Sequence, residues 1–307
     1  MLGKHHGRSG GECTLLCAVL VLFPAFSGVT SYDIHENCLL TPLILWLFYG
    51  IHRKNRAMIA LSALLTLMVK EDAPVYVAVI GLWLLVKAAL RGKNPQDLIT
   101  GAALLAASVG WFCLVTAYLA DFGDGVMTYR YQNFLYDGSS SLLTVIKAVI
   151  LWPMKVIREC VDGEKLRFIA LTLLPLLGLP LLTRRYERYL LLIPYILVNL
   201  MPDYSYQHSI FFQYTFGSTA FLLYLTVVNL ADWRIDWLRV AALGAAAAVS
   251  FVCFYRYIVP KGLVYSRQTM AQHQWNEAIR NTLEDIPEDA AVAAGPVSAP
   301  FLSHRVI

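Results

Sequence analysis

The chain has 307 residues, of which 58% are hydrophobic and only 15% are charged. Because a soluble domain normally carries about 25% charged residues, this composition predicts a protein that is solvated mostly by lipid. The net charge of +4 is small, so no nucleic-acid surface is indicated. The six cysteines are scattered without metal-ligand spacing, which argues against a disulfide framework and a zinc site.

About nine apolar runs follow one another along the chain, and a spanning helix needs roughly 20 apolar residues. The predicted spans are residues 13–29, 39–51, 58–69, 73–90, 98–120, 166–182, 189–201, 209–230 and 237–258. Several are short, which indicates tilted, re-entrant or broken helices. A further apolar segment, residues 142–157, contains Lys147, Pro153 and Lys155. We interpret it as an amphipathic helix on the outer membrane surface, the alternative being a tenth span that inverts the topology after it.

Basic and acidic clusters alternate between the loops that connect these runs. Basic loops lie near residues 53–56, 87–93, 184–188 and 234–239, and acidic or polar loops lie near residues 33–36, 70–72, 121–137 and 203–208. Because Lys and Arg are retained on the cytoplasmic side, the alternation predicts a cytoplasmic N-terminus, an extracytoplasmic C-terminus and one outer face that collects the acidic loops. The alternative at the N-terminus is a cleaved signal peptide, since Lys4 and Arg8 precede an apolar run and Ala25-Phe26-Ser27 suits cleavage.

Two domains are predicted, a transmembrane domain over residues 1–258 and the beginning of an outer domain over residues 259–307. Ser266 is predicted to cap a helix with one apolar face, which comprises Trp275, Ile279, Leu283 and Ile286. Residues 290–294 are predicted to form a strand. One helix and one strand cannot bury a core, so we expect an α/β segment that is truncated. The fold class is an all-α polytopic bundle.

The predicted outer face concentrates ionisable residues close to the membrane. Lys70-Glu71-Asp72 joins two apolar runs with almost no loop, and ionisable groups at such depth are costly and indicate function. The alternative is a structural hairpin in which Lys70 neutralises one of the two carboxylates. The first outer loop supplies a second set of candidates: Asp33, His35 and Glu36.

Tyrosine-rich segments form the rest of the predicted outer face. The loop of residues 203–208 ends in His208, and Gln213 and Tyr214 open the next run. Arg130 stands between two tyrosines and suits a phosphate or pyrophosphate, because a guanidinium binds such groups in bidentate fashion. A polar wall for a sugar or a lipid phosphate is one interpretation, and an interfacial aromatic belt is the other.

Several short motifs are spread in order over nearly the whole chain. They are Asp33-Ile34-His35-Glu36 before an apolar helix, Lys70-Glu71-Asp72 between two helices, Gln213-Tyr214 at the head of a late helix, and the segments 286–294 and 302–305 after the last span. Together they resemble a family of bacterial membrane proteins known as domain of unknown function 2079. That family in turn resembles the glycosyltransferase-C superfamily, whose members take a sugar from a polyprenyl-phosphate donor at the outer face of the plasma membrane.

The resemblance implies roles for the candidate residues. Lys70, Arg130 and His208 would compensate the charge of the leaving lipid phosphate, and His35, Gln213 and Tyr214 would contact substrate. A carboxylate would orient the acceptor hydroxyl or hold a divalent cation such as Mg²⁺ or Mn²⁺, the candidates being Asp33, Glu36, Glu71 and Asp72.

The superfamily's acidic first outer loop is expected ahead of Met1, so we expect this chain to be a fragment that transfers no sugar by itself. The competing functions are a transporter or flippase for a lipid-linked or polar solute, which also needs ionisable groups within the membrane, and a non-catalytic membrane scaffold.

Overall fold

A computed structural model describes residues 9–31, 34–92, 94–121, 128–136, 138, 141–287, 290–295 and 298–302. The chain forms two compact units, Met1–Arg256 and Tyr257–Ile307. The described residues form helices and contain no strand, which confirms the all-α fold class. Helices long and apolar enough to cross a membrane in this part of the chain are Pro95–Leu119, Gln213–Ala231 and Asp236–Glu284.

The first unit is a bundle of helices joined by short turns. Its α-helices are α1 (Gly10–Leu22), α2 (Pro24–Ser27), α3 (Leu40–Arg53), α4 (Arg56–Leu67), α5 (Pro74–Leu90), α6 (Pro95–Ala120), α7 (Leu142–Leu151), α8 (Pro153–Cys160), α9 (Gly163–Leu173), α10 (Phe216–Ala231) and α11 (Asp236–Cys253). Short 3₁₀ segments precede two of the central helices, Glu36–Leu39 before α3 and Gln213–Thr215 before α10.

Aromatic residues on three helices form the centre of the core. Phe48 of α3 stacks on Tyr224 of α10, with ring centres 3.7 Å apart, and Trp83 of α5 packs edge-on against both. Helices α5 and α6 approach closely at Gly81 and Gly101, because a Cβ at Gly81 would lie only 2.8 Å from the Gly101 carbonyl oxygen. Such a glycine contact lets two membrane helices pack backbone to backbone.

Two predicted spans are broken helices. In the run of residues 166–182, α9 ends at Leu173, and the turns that follow lead to Leu177 and Gly178, which adopt left-handed backbone angles; the Gly178 amide donates to the Leu173 carbonyl at 2.9 Å. The run of residues 189–201 consists of the 3₁₀ segment Tyr186–Leu192 and the π-helical segment Tyr195–Leu200. These irregular segments bring polar backbone groups into the interior of the bundle.

The predicted surface helix of residues 142–157 is two helices rather than one. Helix α7 ends at Leu151 and α8 begins at Pro153, with Trp152 non-helical between them. Pro153 has no N–H to continue the hydrogen bonding of α7, which accounts for the break.

Loops that were predicted to share a membrane face contact each other. Among the basic loops, Arg91 pairs with Glu187 at 2.6 Å and Arg188 pairs with Asp232 at 2.7 Å. Among the acidic loops, Lys70 of one loop pairs with Glu36 of another at 3.0 Å. The two sets of loops therefore gather separately, and the assignment of the basic set to the cytoplasm stays a prediction.

Cysteine labelling tests that assignment. In a variant without native cysteines, Arg53→Cys and Arg184→Cys should be protected from a membrane-impermeant thiol reagent in intact cells, whereas Asp203→Cys should react. All three positions are solvent-exposed, so permeabilised membranes should label each of them. Labelling at Arg53 with protection at Asp203 would show that the topology is the reverse of the predicted one. Asp124, a further position predicted to lie on the outer side, is outside the described residues.

The second unit contains α12 (Val259–Glu284) and α13 (Ala299–Leu302). The predicted cap at Ser266 is wrong, because α12 already begins at Val259 and the Ser266 hydroxyl donates to the Gly262 carbonyl at 3.0 Å. The predicted strand is not formed either, since residues 290–295 have no regular secondary structure. Without a partner strand, a short apolar stretch cannot complete its backbone hydrogen bonds as a sheet.

Candidate functional site

An ion pair joins the loop around residue 36 to the loop around residue 70. The Lys70 ammonium donates to Glu36 Oε1 at 3.0 Å, and His35 Nδ1 lies 3.9 Å from Glu36 Oε2. Partial burial by itself would raise the pKa of Glu36, but the hydrogen bond from Lys70 lowers it. The ion-pair partner of Lys70 among the described residues is therefore Glu36, while Asp72 and Glu71 interact with its charge at longer range. The alternative of a hairpin neutralised within Lys70-Glu71-Asp72 stays a prediction.

The first loop is also tied to the start of α10. The Asn37 side-chain amide donates to Gln213 Oε1 at 2.9 Å, and the Thr41 hydroxyl donates to the Phe216 carbonyl at 2.6 Å. These bonds fix the 3₁₀ turn that carries Tyr214. Gln213 thus holds two segments together beside the candidate site.

Arg130 is a buried cation held among aromatic rings. Its guanidinium carbon lies 4.9 Å from the centre of the Tyr214 ring, 5.5 Å from that of Tyr129 and 5.7 Å from that of Tyr204, and Nε donates to the Tyr129 hydroxyl at 3.2 Å. The side chain is 5% exposed, yet no carboxylate lies within ion-pair distance among the described residues. A buried arginine normally has an anionic partner, so this one suits an anionic ligand.

The segment that carries Arg130 is anchored to a broken helix. The Asp203 amide donates to the Arg130 carbonyl at 3.0 Å, and the Tyr131 hydroxyl donates to the Leu197 carbonyl at 3.0 Å. The π-helical segment that contains Leu197 exposes that carbonyl for such a bond. The guanidinium is therefore positioned by residues that are about 70 positions away in the chain.

Asp72 has a carboxylate oxygen without a hydrogen-bond partner. Its Oδ1 is inaccessible to solvent, and burial raises the pKa of Asp72 although the charges of Lys70 and Arg130 oppose the shift. Buried acceptors are usually satisfied, so an unpaired one calls for an explanation such as a catalytic role.

A cavity of about 380 Å³ connects these groups to an apolar wall. Helix α7 supplies part of the wall through Val145, Ile146 and Val149, and the loop between α4 and α5 supplies Glu71 and Asp72. Arg130, Tyr131 and Gln207 complete the polar part of the lining. The cavity thus offers an amphiphilic ligand both an apolar surface and a charged one.

Gln207 is a site residue that the sequence analysis did not identify. Its side chain is 2% exposed, lines the cavity and leaves Oε1 without a hydrogen-bond partner, while its backbone carbonyl accepts from the Asn199 side chain at 2.6 Å. The only sequence signal for Gln207 is its position in the tyrosine-rich loop, between Tyr206 and His208. Gln207 Oε1 and Asp72 Oδ1 are thus two buried acceptors without donors in residues that line the cavity, although neither oxygen is itself exposed to it.

His208 faces a different polar cluster. Its Nε2 lies 3.4 Å from Glu164 Oε2, near Asp162 and Lys165, and it is not among the residues that line the cavity. Burial and the Lys165 charge lower the pKa of His208, which disfavours the positive charge that a role beside a leaving phosphate would require. That role stays a prediction.

The described residues contain no cluster of metal-ligand side chains. Within the part of the chain that the structure describes, no three His, Cys, Asp or Glu side chains are grouped so as to hold a metal ion. Asp33, a predicted carboxylate of the first loop, lies outside the described residues.

The helical bundle and its apolar helices define the class, a polytopic membrane protein. The whole chain, residues 1–307, matches the family described as "Predicted membrane protein (DUF2079)", and the chain belongs to that family. The resemblance of the motifs to this family is thereby confirmed, and the further likeness to the glycosyltransferase-C superfamily stays a prediction. Comparisons with curated proteins and with solved structures found no match.

Proposed function

We propose that this protein uses a lipid-phosphate-linked sugar and transfers the glycosyl group at the outer membrane face, as polyprenyl-phosphate-dependent glycosyltransferases do. The observation that carries the proposal is Arg130, a buried cation without a carboxylate partner among the described residues that lines an apolar cavity. The donor phosphate supplies the missing counter-ion. The cavity has the size of a typical ligand pocket, so it holds the first isoprene units while the rest of the tail extends into the bilayer.

Asp72 is the proposed general base. The acceptor hydroxyl attacks the anomeric carbon and gives its proton to Asp72, while the bond between that carbon and the phosphate oxygen breaks and the lipid phosphate leaves with the electron pair. A carboxylate with a raised pKa is a stronger base than an ordinary one, which favours proton transfer.

Arg130 and Lys70 are the proposed electrostatic groups. Arg130 stabilises the charge that develops on the leaving phosphate, and this effect is strong where water is excluded. Lys70 Nζ lies 5.7 Å from the centre of the Tyr214 ring, whose other neighbour is Arg130. Tyr214 therefore holds both cations near one point, which supports its role as a positioning residue.

Sugar recognition is assigned to the unpaired acceptors. Gln207 and Glu71 line the cavity, and their side-chain oxygens suit sugar hydroxyls, which are hydrogen-bond donors, once a rotation of the Gln207 amide exposes Oε1. A bare lipid phosphate satisfies Arg130 but leaves Gln207 unpaired.

The test is a transfer assay in lipid nanodiscs with the protein purified in its natural length. Residues 1–307 by themselves are expected to transfer no sugar and are assayed beside it. Polyprenyl-phosphate sugars are supplied as donors, and the release of polyprenyl phosphate and the formation of glycosylated product are measured by mass spectrometry. Product formation supports the proposal. Donor binding without product, together with donor movement across proteoliposome membranes, would favour the flippase alternative, and the absence of donor binding would overturn the proposal.

A further inference from the structure

A second cavity of about 560 Å³ is a groove between α4 and α6. Small side chains on both helices form it, including Ala60 and Ala63 of α4 and Ala103 and Ala107 of α6. Most of its lining is apolar, and several of its residues are exposed on the surface of the bundle. In a membrane such a groove is open to lipid chains.

One end of the groove continues into a small polar pocket. The pocket has a volume of about 130 Å³ and shares Ile59, Gln96 and Thr100 with the groove, so the two lie next to each other. An apolar groove that opens into a polar pocket has the shape of a lipid, with a tail and a headgroup.

The charge of the polar end is positive. Lys87 lines the pocket but is neutralised by Asp97 at 2.9 Å, and His52 is hydrogen-bonded to the Tyr224 hydroxyl at 2.9 Å. Lys54 lines the pocket and Arg56 lines the groove, and both are exposed and have no ion pair within the described part of the chain. The two unpaired cations set the charge preference for a ligand.

We propose that this surface is a binding site for an anionic phospholipid, with an acyl chain in the groove and the phosphate between Lys54 and Arg56. Charge complementarity favours a headgroup with net negative charge, because the ammonium of a zwitterionic lipid would oppose the two cations. The site lies among the basic loops, away from the cavity that contains Arg130, and it does not depend on the proposed glycosyl transfer. It gives the protein a specific lipid requirement.

The test compares two double variants that remove the same charge. Lys54→Gln/Arg56→Gln removes the cations that line the site, and Arg53→Gln/Arg234→Gln removes two exposed cations that do not line it. Phosphatidylglycerol and phosphatidylcholine are titrated into the full protein in detergent, and bound lipid is counted by native mass spectrometry. The first variant should bind phosphatidylglycerol about 30-fold more weakly, since each basic residue near an anionic lipid contributes about fivefold. The control pair should change binding less than threefold.

A second pair of variants tests the groove without changing charge. Ala103→Phe fills the groove, and Ala102→Phe places the same ring on an exposed position of α6 that does not line it. Only Ala103→Phe should reduce phosphatidylglycerol binding. Equal losses in both charge variants, or equal affinity of the natural protein for the two lipids, would overturn the proposal and leave only a general attraction of basic loops to anionic membranes.

Discussion

Asp72→Asn is expected to lower glycosyl transfer by about 10²- to 10⁴-fold, the range for removal of a general base. Asparagine has nearly the same shape but cannot accept the proton of the acceptor hydroxyl. The acidic limb of the natural protein's pH–rate profile should lie above the usual range for an aspartate, because burial raises the pKa of Asp72. The measurement is initial transfer rate against pH.

Stability distinguishes this role from a structural one. A carboxyl group whose pKa is raised in the folded state contributes stability below its unfolded pKa and loses that contribution as pH rises through the folded pKa. At neutral pH the ionised Asp72 therefore costs stability, and Asp72→Asn should unfold at the same or a higher temperature in detergent. Stable but inactive protein is the expected combination.

Glu71→Gln is the matched control for Asp72→Asn. It neutralises the adjacent carboxylate, which lines the same cavity but has no unpaired buried oxygen like that of Asp72. We expect a smaller loss of transfer and a higher KM for the donor. If Asp72→Asn loses folded protein in step with activity, Asp72 stabilises the fold instead, because stranding one partner of a buried charge pair costs about 3–5 kcal/mol.

Arg130→Gln is expected to weaken binding of polyprenyl phosphate by about 30-fold or more. The loss follows from removal of a buried charge-assisted contact, which is worth about 2–5 kcal/mol. The affinity of Arg130→Lys for polyprenyl phosphate should lie between those of the natural protein and Arg130→Gln. Lysine keeps the positive charge but lacks the planar guanidinium and its stacking on tyrosine rings. Binding is measured by quenching of tryptophan fluorescence on titration with the lipid phosphate.

The control for Arg130 is Arg158→Gln, which removes an exposed cation from α8. It should leave lipid-phosphate binding within threefold of the natural protein. Arg130→Gln should lower the unfolding temperature only modestly, because Arg130 forms no ion pair among the described residues but its charge does favour the buried Asp72 carboxylate. Unchanged lipid-phosphate binding by Arg130→Gln would contradict the proposed function.

Gln207→Leu tests sugar recognition separately from phosphate binding, by fluorescence titrations with a glycosylated and with a bare lipid phosphate. It removes the unpaired acceptor and leaves Arg130 in place, so the preference for a glycosylated over a bare lipid phosphate should fall. A variant with an unchanged preference would remove Gln207 from the sugar site while leaving the phosphate site intact.

The class and the family were predictable from the sequence alone, and so were the approximate positions of several helices, whereas the count of about nine spans stays a prediction. Hydrophobic runs and charged loops are local properties, and a membrane constrains both strongly, so they could be interpreted without tertiary contacts. The same reasoning selected Asp72, Arg130 and Tyr214 as candidates, because charges and tyrosines between spans are few. Local sequence patterns led to two wrong predictions near the C-terminal end. The helix does not begin at Ser266, and residues 290–294 do not form a strand.

Only the tertiary structure decided which side chains meet. Lys70 pairs with Glu36 from 34 residues away, and Asn37 bonds Gln213 from 176 residues away. Such partners depend on how helices pack, which no local spacing reveals. The same packing turned His208 away from the cavity and brought Gln207 into it, although the two are adjacent in the chain, because neighbouring residues of a 3₁₀ turn point in different directions.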